Sequence, residues 1–304
     1  MCTSMKTQEL VLNWHITEAC NYGCKYCYSA WKREGNRRDV IHNQIASEAL
    51  IAELYAFFRP GNTENPFYNQ MQWKTVRLNF AGGEPLLYDT KIPELVEYAR
   101  GTGFEVSLIT NASRLSSELI STLAPQLSWM GLSIDSINPD TNRAIGRVDR
   151  RGMLLDFEHL AKDIAVARKA NPSLRLKINT VVNERNWTEN FTALVSQFAP
   201  EKWKVLRMLP VVNRNLAITD LQFDAFVTRH EEFKNIACVE DNNDMLESYI
   251  MIDPQGRFYQ NSPQTISTGY QYSKPIVEIG AGPAFSEMTF DAGRYAARYD
   301  EVAS

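Results

Sequence analysis

Three cysteines near the N-terminus constrain this chain more than any other feature: Cys20, Cys24 and Cys27, spaced C-x3-C-x2-C. They follow a run of alternating apolar and polar residues, Leu10 to Thr17, which predicts a β-strand. Three thiolates at this spacing can bind three irons of a 4Fe–4S cluster and leave the fourth iron without a protein ligand. An iron with an open coordination position can do chemistry, whereas a fully ligated cluster mostly passes electrons.

Two other interpretations of the three cysteines are weaker. A structural zinc site needs a fourth Cys or His ligand, and the candidates His15 and His42 lack the usual paired spacing. A disulfide framework fits poorly, because the chain has 5 cysteines and three of them are clustered. The cysteines therefore indicate a reducing compartment, and we expect a cytoplasmic protein.

Composition narrows the remaining classes of protein. A chain of 304 residues with 44% hydrophobic residues can form one large α/β domain, or one domain with an extension. A formal net charge of −4 argues against a broad nucleic-acid-binding surface. No apolar run approaches the ~20 residues that a membrane-spanning helix needs. We therefore expect neither a nucleic acid nor a membrane as a partner.

A second predicted strand, Thr75 to Phe80, runs into a turn with the sequence Ala81-Gly82-Gly83-Glu84-Pro85. Two glycines allow a backbone to approach a ligand closely. The Glu84 carboxylate can accept hydrogen bonds from an ammonium group. The end of this strand is therefore a second candidate binding segment.

Strand and helix signals alternate along the first two-thirds of the chain. The further predicted strands are Phe104–Thr110, Trp129–Ile134, Leu174–Val182 and Lys202–Leu209. The predicted helices are Ile45–Phe58, Ser116–Leu123, Met153–Lys169 and Trp187–Phe198, and residues 59–74 form a predicted loop. Repeated βα units imply parallel strands with right-handed crossovers. Six units fit an α/β fold with a partial (βα)6 barrel over residues 10–210, after a tail of residues 1–9.

The alternation stops after Pro210, which predicts an α+β extension over residues 211–304 that covers the mouth of the barrel. Leu221–Ile236 has helical spacing, and Pro254-Gln255-Gly256 predicts a hairpin turn between two short strands. Residues 262–284 are rich in Ser, Pro and Gly, so we expect an irregular segment there.

One face of most predicted strands is polar. The polar positions are Asn13, His15, Arg77, Asn79, Ser133, Asp135, Lys177 and Asn179. Burying so many polar groups without partners is costly, so we expect them to line an open, ligand-filled interior. Arg77, Lys177 and, on the sixth strand, Lys204 are cationic. Three cations in one pocket of an acidic protein favour a polyanion such as a nucleoside triphosphate.

Taken together, these segments resemble the viperin family of radical S-adenosylmethionine (SAM) enzymes. The cysteine spacing, with an aromatic residue before the last cysteine, resembles the signature of the whole superfamily. The segments similar to viperins run in order along the chain: residues 13–17 (NWHIT), 79–85 (NFAGGEP), 133–136 (SIDS), 145–147 (IGR), 177–183 (KINTVVN), 202–205 (KWKV), 248–249 (SY) and 257–258 (RF). They cover most of the chain, and the KIN and WK segments are far more specific than the cysteines.

The resemblance implies a radical SAM partial barrel in which Cys20, Cys24 and Cys27 bind a 4Fe–4S cluster whose fourth iron is chelated by SAM. It implies that an electron from the cluster cleaves SAM, and that the resulting 5′-deoxyadenosyl radical takes hydrogen from C4′ of a nucleoside triphosphate. The 3′-hydroxyl would leave as water, and an electron and a proton would complete the step. The implied product is a 3′-deoxy-3′,4′-didehydro nucleotide, which terminates chains made by polymerases.

The resemblance also implies roles for individual residues. SAM would be held by Tyr26, Gly82, Gly83, Glu84, Asn111, Ser133 and Arg147. The nucleotide would be held by Asn13, Arg77, Lys177, Asn179, Lys204 and Tyr249, with Lys177 and Lys204 acting as catalytic residues that position the sugar. Arg77 stands where viperins carry a lysine, which keeps the charge but changes the geometry.

The implied partners are CTP, UTP or GTP as substrate and an external one-electron reductant such as a flavodoxin or ferredoxin. Animal viperins begin with an amphipathic membrane helix, whereas this chain begins close to its first strand. We therefore expect a soluble, prokaryotic-type member that acts against phage.

Four alternatives remain open. A deazapurine-forming synthase or a glycyl-radical activator would need no triphosphate clamp, and a peptide-modifying relative would usually carry more C-terminal cysteines than Cys238. A non-catalytic iron–sulfur sensor would bind the cluster without cleaving SAM.

Overall fold

The computed structural model describes residues 5–27, 36–210, 214–261 and 270–300. The strands are β1 Met5–His15, β2 Met71–Ala81, β3 Glu105–Thr110, β4 Trp129–Ser133, β5 Arg175–Val182, β6 Lys202–Arg207, β7 Ala237–Glu240, β8 Ile250–Ile252, β9 Arg257–Gln260 and β10 Gln271–Pro275. The helices are α1 Gln44–Phe58, α2 Lys91–Thr102, α3 Ser117–Leu123, α4 Pro139–Ile145, α5 Phe157–Ala170, α6 Thr192–Phe198, α7 Asp220–Arg229, α8 Ile276–Ile279, α9 Ala281–Ser286 and α10 Ala292–Asp300.

Two compact units share these elements. The first unit combines Met1–Glu18, Gly35–Ser107 and Asp244–Ser304. The second combines Ala19–Glu34 and Leu108–Asn243. The cysteines of the predicted cluster loop therefore belong to the second unit, and the glycine-rich turn after β2 belongs to the first.

The first unit is built around β1, which has a strand on each side. β1 pairs in parallel with β2 and, with Leu12 opposite Ile250, in parallel with β8. β8 and β9 form an antiparallel hairpin, and β10 continues it next to β9. Leu10, Leu12 and Trp14 of β1 are at most 1% exposed. This burial explains why the alternating pattern before the cysteines predicts a strand so clearly.

The helix α10 completes the pairing of β1. β8 covers β1 from Leu12 to Trp14, and the preceding Val11 N–H donates to the Tyr295 hydroxyl at 2.5 Å. Tyr295 is fully buried. Because a buried N–H group without a partner is costly, this bond links the C-terminal helix to the first strand.

The second unit contains four neighbouring parallel strands, in the order β4, β5, β6 and β7. Trp203 of β6 lies in its core, with its ring 5.1–6.1 Å from the rings of Phe191, Phe226 and His230. Its indole N–H donates to the Thr180 hydroxyl of β5 at 2.9 Å. The apolar faces of these strands therefore meet the helices, as the sequence pattern predicts.

All six predicted strands of the βα region are present as β1 to β6, and the predicted hairpin is confirmed as β8 and β9. β2 begins at Met71, so the predicted loop before it is shorter than expected. The helices α2 and α4 were not predicted. The signal for α2 is nevertheless in the sequence, since its buried residues Ile92, Leu95, Val96 and Ala99 have helical spacing.

Three predicted helices have different bounds. α5 begins at Phe157 because the preceding Asp156 side chain accepts the His159 N–H and caps the helix. α6 begins at Thr192, after a turn in which the Asn186 side chain accepts the Asn183 N–H. α7 ends at Arg229, and the following His230 ring bonds the Phe226 carbonyl at 2.8 Å.

Two expectations for the C-terminal third were wrong. The βα alternation continues past Pro210, because α7 leads into β7 and β7 pairs in parallel with β6. Residues 271–284 contain β10, α8 and α9 instead of an irregular chain, and residues 262–269 lie outside the described residues. The proline and glycine that suggested irregularity lie at boundaries, with Pro275 before α8 and Gly280 between α8 and α9.

The expectation that residues 211–304 cover the mouth of a barrel stays a prediction. The boundary between the compact units near this point falls at Asp244, and the segment from Leu108 to Asn243 belongs to the second unit. In the part of the chain that the structure describes, no helix is long and apolar enough to cross a membrane.

Candidate active site

The cysteine loop is fixed by backbone bonds within the second unit. Cys20, Cys24 and Cys27 are not in disulfides, and each is partly exposed. The loop contacts the end of α4, where the Gly23 N–H donates to the Gly146 carbonyl at 3.1 Å. Gly146 has a φ of +84°, and a Cβ at this position would collide with the Gly23 carbonyl. Glycine is therefore required at position 146 by both its backbone conformation and its close approach to the cysteine loop.

The donor set of this loop suits an iron–sulfur cluster, because thiolates are the soft ligands that such clusters use. Among the described residues, no three His, Cys, Asp or Glu side chains converge to hold a single metal ion. A 4Fe–4S cluster needs no such convergence, since each cysteine binds a different iron. Burial raises the pKa of Cys24, and the nearby positive charge of Arg147 opposes this rise. A bound metal favours the thiolate further.

Two residues predicted to hold SAM, Tyr26 and Arg147, meet at one buried carboxylate, Asp135. The Tyr26 hydroxyl and Arg147 Nη1 each donate to Asp135 Oδ2 at 2.5 Å. Arg147 Nη2 donates to the Ser133 carbonyl, and the Val181 N–H donates to Asp135 Oδ1 at 2.5 Å. Burial, reinforced by the Asp135 charge, raises the pKa of Tyr26 well above its usual value, so the phenol remains a neutral donor. Sequence reasoning placed Asp135 on the polar face but gave it no role in the site.

Asn111, also predicted to hold SAM, links the loop after β3 to the cysteine loop by hydrogen bonds. Its side-chain N–H donates to Asn21 Oδ1 at 3.0 Å, and its Oδ1 accepts the Ser113 N–H at 3.0 Å. The Asn21 side chain in turn donates to the Ser113 hydroxyl at 2.7 Å. Asn111 Nδ2 also lies 3.9 Å from the Cys20 sulfur. Asn111 therefore lies directly beside the first cysteine.

The glycine-rich turn belongs to the first unit, where it packs against the end of β1. The Gly83 N–H donates to the Thr17 carbonyl at 2.9 Å. Gly82 has a φ of +131°, and a Cβ there would lie 2.7 Å from the Thr17 carbonyl oxygen. The close approach that glycine permits at position 82 is thus to the backbone that directly follows β1. Glu84 is fully buried, and its Oε1 accepts the Leu86 N–H at 3.0 Å.

Asn13 and Asn79 form a polar pair across β1 and β2. Asn79 Nδ2 donates to Asn13 Oδ1 at 2.9 Å, and the Ser107 hydroxyl donates to Asn79 Oδ1 at 2.7 Å. Asn13 Nδ2 reaches the Ile250 carbonyl at 3.4 Å. Next to Ile250, Tyr249 is half-buried, and its carbonyl accepts the Gln260 side chain at 2.8 Å. The predicted nucleotide residues Asn13 and Tyr249 therefore lie close together in the first unit.

Lys177, Asn179 and Lys204 lie on the neighbouring strands β5 and β6 of the second unit. Asn179 is opposite Lys204 in the register of the two strands, and Lys177 is two residues before Asn179 on the same face. Lys177 is opposite Gly131 of β4, where a Cβ would lie 3.3 Å from the lysine Cε. Asn179 is 9% exposed, and its Oδ1 has no hydrogen-bond partner among the described residues. The three side chains therefore share one face, with an unsatisfied acceptor beside Lys204.

Two of the cations that the sequence assigned to a polyanion also pair with carboxylates of the protein, and the assignment itself stays a prediction. Arg77 forms an ion pair with Glu9, with Nη2 2.7 Å and Nε 2.8 Å from Glu9 Oε2. Lys204 forms an ion pair with Glu240, a carboxylate that is 2% exposed. These pairs depend on strand register and on β7, which local sequence patterns do not reveal. Arg77 and Lys204 therefore each have a carboxylate partner within the protein.

The structure distributes the predicted site residues between the two units. The second unit holds Cys20, Cys24, Tyr26, Cys27, Asn111, Ser133, Arg147, Lys177, Asn179 and Lys204. The first unit holds Asn13, Arg77, Gly82, Gly83, Glu84 and Tyr249. Sequence reasoning missed one further buried polar pair of the first unit, Tyr259 and His15, whose side chains are 2.5 Å apart. They are separated by 244 positions, so no local signal connects them.

Comparisons with known proteins agree on one superfamily. Residues 14–171 match the model of the Radical SAM superfamily. An S-adenosylmethionine-dependent nucleotide dehydratase of Pseudoalteromonas ulvae is 37% identical over 97% of this chain and 94% of the relative. One from Psychrobacter lutiphocae is 39% identical over 96% of this chain and 95% of the relative. The S-adenosylmethionine-dependent nucleotide dehydratase RSAD2 of Oncorhynchus mykiss is 27% identical over 92% and 76% of the two chains.

Solved structures support the fold. The enzyme anSMEcpe with bound AdoMet matches with a TM-score of 0.64 at 14% identity, over 96% of this chain and 83% of that one. Streptococcus suis SuiB bound to S-adenosylmethionine matches with a TM-score of 0.63 at 14% identity, over 96% and 68%. At this identity the likeness concerns the fold alone. The predicted fold class, an α/β partial barrel of the radical SAM type, is confirmed.

Proposed function

The chain belongs to the radical SAM superfamily and, within it, to the S-adenosylmethionine-dependent nucleotide dehydratases, and we propose that it dehydrates a nucleoside triphosphate to its 3′-deoxy-3′,4′-didehydro form. The chain is thus a lyase-type enzyme with a 4Fe–4S cluster and SAM as cofactors. The proposed substrates are CTP, UTP or GTP, and the proposed electron source is a flavodoxin or ferredoxin. The product would terminate chains made by phage polymerases.

Cys20, Cys24 and Cys27 would hold the cluster in this proposal. The residues assigned to SAM are Tyr26, Gly82, Gly83, Glu84, Asn111, Ser133 and Arg147. When bound, the cluster and SAM would supply a 5′-deoxyadenosyl radical to take hydrogen from C4′. The protein's own residues would orient the cluster and SAM. The hydrogen bonds to Asp135 hold the Tyr26 and Arg147 side chains in place. The hydrogen bond of Asn111 to Asn21 holds the loop beside Cys20.

The observation that carries the nucleotide assignment is the unsatisfied Asn179 Oδ1 beside Lys204. A buried acceptor without a partner costs about 1–3 kcal/mol, so it favours a ligand that can donate a hydrogen bond there. Phosphate oxygens cannot donate, whereas a ribose hydroxyl or a base amino group can. We therefore assign Asn179 to the nucleoside part and Lys177 and Lys204 to the phosphates, with Asn13, Arg77 and Tyr249 as further nucleotide residues.

The ion pair of Lys204 with Glu240 shapes how a triphosphate would bind. A phosphate reaching Lys204 meets a lysine whose charge already interacts with a buried carboxylate. A ligand with several negative charges can compete for the lysine through charge-assisted hydrogen bonds. The same argument applies to Arg77 and Glu9. A triphosphate can therefore compete with the carboxylates for Lys204 and Arg77, whereas a free nucleoside carries no negative charge with which to do so.

Anaerobic reconstitution with iron and sulfide, followed by chromatography of the products with and without each nucleotide, tests the proposal. We expect 5′-deoxyadenosine and a dehydrated nucleotide only when a nucleoside triphosphate is present. A substrate with deuterium at C4′ should deliver that deuterium to 5′-deoxyadenosine. The matching nucleoside without phosphates is the control and should react far more slowly.

Each contrary result has a distinct meaning. Equal turnover of the nucleoside and its triphosphate would remove the phosphate assignment of the lysines. Deuterium retained in the product, or transferred from another ring position, would rule out abstraction at C4′. A reconstituted cluster that never cleaves SAM with any nucleotide would identify a binding protein instead of an enzyme.

A further inference from the structure

A buried phenol–imidazole pair lies in the first unit, outside the residues assigned above. The Tyr259 hydroxyl is 2.5 Å from His15 Nδ1, and each residue is 5% exposed. Burial lowers the pKa of His15 to about 3. The imidazole is therefore neutral at pH 7, and in the tautomer with its proton on Nε2 the Nδ1 atom accepts a hydrogen bond from the phenol O–H.

The pair lies on the strand face that carries Asn13. Asn13, Met251 and Tyr259 are opposite one another in the register of β1, β8 and β9, so their side chains share one face. His15 follows Asn13 by two residues on the same strand and has the same orientation. The pair therefore shares a strand face with Asn13, which is assigned to the nucleotide.

A chain of aromatic rings connects this pair with the surface. The Tyr259 ring stacks on Tyr272, with centroids 5.8 Å apart and an interplanar angle of 19°. Tyr272 is 46% exposed, and the Arg257 guanidinium lies 4.4 Å above its ring. Tyr270 packs edge-on against Tyr259 at 5.2 Å. Continuous ring contact therefore runs from solvent through Tyr259 to His15.

The proposed dehydration needs an electron after the substrate radical has formed. Loss of a hydrogen atom from C4′ and of hydroxide from C3′ leaves the sugar one electron short of the closed-shell didehydro product. The departing hydroxide takes up one proton from solvent and leaves as water. One electron must therefore reach the sugar from within the protein or from a reductant. Tyrosine can supply an electron when a base accepts its proton at the same time.

Resting on the function proposed above, we propose that Tyr259, with His15 as its proton acceptor, delivers the electron that completes the dehydration. In this step the Tyr259 phenol is oxidised to a neutral phenoxyl radical, and the sugar radical cation is reduced to the didehydro sugar. The phenol O–H bond breaks, and its proton passes to His15 Nδ1. An oxidised phenol is a strong acid, so even a histidine with a depressed pKa accepts this proton.

The pair then returns to its starting state. An external one-electron reductant, the same class of donor that the enzyme already requires, reduces the phenoxyl radical by way of Tyr272. The proton returns from His15 to the phenol oxygen. Over the cycle the pair gains and loses one electron and one proton, so the only net electron donor is the external reductant.

Single turnover without excess reductant tests this role. The cluster is reduced, the reductant is removed by desalting, and SAM and the preferred nucleoside triphosphate are added. We expect the unmodified enzyme to form didehydro product together with an electron paramagnetic resonance signal of a phenoxyl radical. In Tyr259→Phe, 5′-deoxyadenosine should still form and still receive deuterium from C4′. Its yield of didehydro product per 5′-deoxyadenosine should fall about tenfold or more, and the phenoxyl signal should be absent.

Two further variants separate this role from a structural one. Tyr295→Phe deletes an equally buried hydroxyl that bonds the same strand, and it should lower stability while leaving product and 5′-deoxyadenosine coupled. His15→Gln keeps a polar side chain that cannot carry the transferred proton, and it should uncouple the reaction as Tyr259→Phe does. If Tyr259→Phe or His15→Gln fails to fold, the other of these two variants and the phenoxyl signal of the unmodified enzyme still test the role of the pair.

The outcomes distinguish this inference from the proposed function. An unchanged product ratio in Tyr259→Phe, or product without a phenoxyl signal in the unmodified enzyme, overturns the role of Tyr259 and leaves the dehydratase assignment standing. Failure of the unmodified enzyme to make didehydro product from any nucleoside triphosphate overturns both.

Discussion

Replacing Gly146 by alanine should have two effects: it should strain the backbone at this position, and it should displace the cysteine loop. Gly146 has a φ of +84°, a conformation that costs a residue with a side chain roughly 1–2 kcal/mol. The added Cβ would also collide with the Gly23 carbonyl, and this contact is with backbone that cannot rotate away. This collision is relieved only if the cysteine loop moves away from the end of α4.

The magnitude follows from the bonds that such a movement breaks. The Gly23 N–H donates to the Gly146 carbonyl and the Lys25 N–H to the Ile145 carbonyl, at 3.1 and 2.9 Å. Each bond contributes roughly 0.5–1.5 kcal/mol, so the total loss for Gly146→Ala is about 2–5 kcal/mol. The matched control is Gly152→Ala in the same unit. Gly152 has a φ of +77°, but nothing lies within 4 Å of its Cβ position, so only the backbone cost applies.

Urea unfolding of both variants, and iron content after reconstitution, measure the two effects. We expect Gly152→Ala to lose roughly 1–2 kcal/mol and to bind iron normally. Gly146→Ala should lose more stability and retain less iron, because its cysteines are displaced. Equal losses in the two variants, with full iron content in Gly146→Ala, would show that the contact with the cysteine loop does not position the cysteines.

Three further predictions concern single side chains. Alanine in place of any loop cysteine (Cys20, Cys24 or Cys27) should abolish the cluster absorbance and SAM cleavage, whereas Cys238→Ala should keep both; a cluster retained in Cys24→Ala would contradict the ligand assignment. Because the pKa of His15 is lowered to about 3, the unfolded chain binds a proton below its usual pKa of about 6.5 while the folded chain does not. Stability should therefore fall as the pH drops from 7 to 5, by up to roughly 1.4 kcal/mol per pH unit, and urea unfolding of His15→Gln should lack this part of the slope. Lys177→Ala should bind SAM normally by calorimetry yet lose nucleotide-dependent 5′-deoxyadenosine formation, since misplacing the sugar by about 1 Å can cost about a hundredfold in rate; an unchanged rate would remove Lys177 from the site.

Sequence periodicity predicted the strands well because each central strand must bury one face. Leu10, Leu12 and Trp14 alternate with polar residues, and their burial is what makes β1 a strand. The same reasoning found Lys177 and Asn179 on one face of β5, which the register with β6 confirms. Local patterns therefore carry both the strand and the orientation of its side chains.

Local sequence patterns could not predict which distant side chains pair with one another. The ion pair of Lys204 with Glu240 depends on β7 lying beside β6, and the sequence periodicity did not predict that short strand. Asp135 is central because Tyr26 and Arg147 both reach it from distant segments, 109 and 12 positions away. The physical reason is the same in each case: a charged side chain is satisfied by whichever partner the fold brings near, and the fold is not local.

The bond between Tyr295 and Val11 has a consequence for synthesis on the ribosome. β1 is made early, but its neighbour β8 and the Tyr295 hydroxyl lie about 240 and 284 positions later. Until those segments emerge, one edge of an apolar strand lacks its final hydrogen-bond partners. Exposed strand edges pair readily with other chains. The nascent protein is thus most prone to aggregate between the synthesis of β2 and that of α10, and slowing translation in this interval should lengthen the exposure.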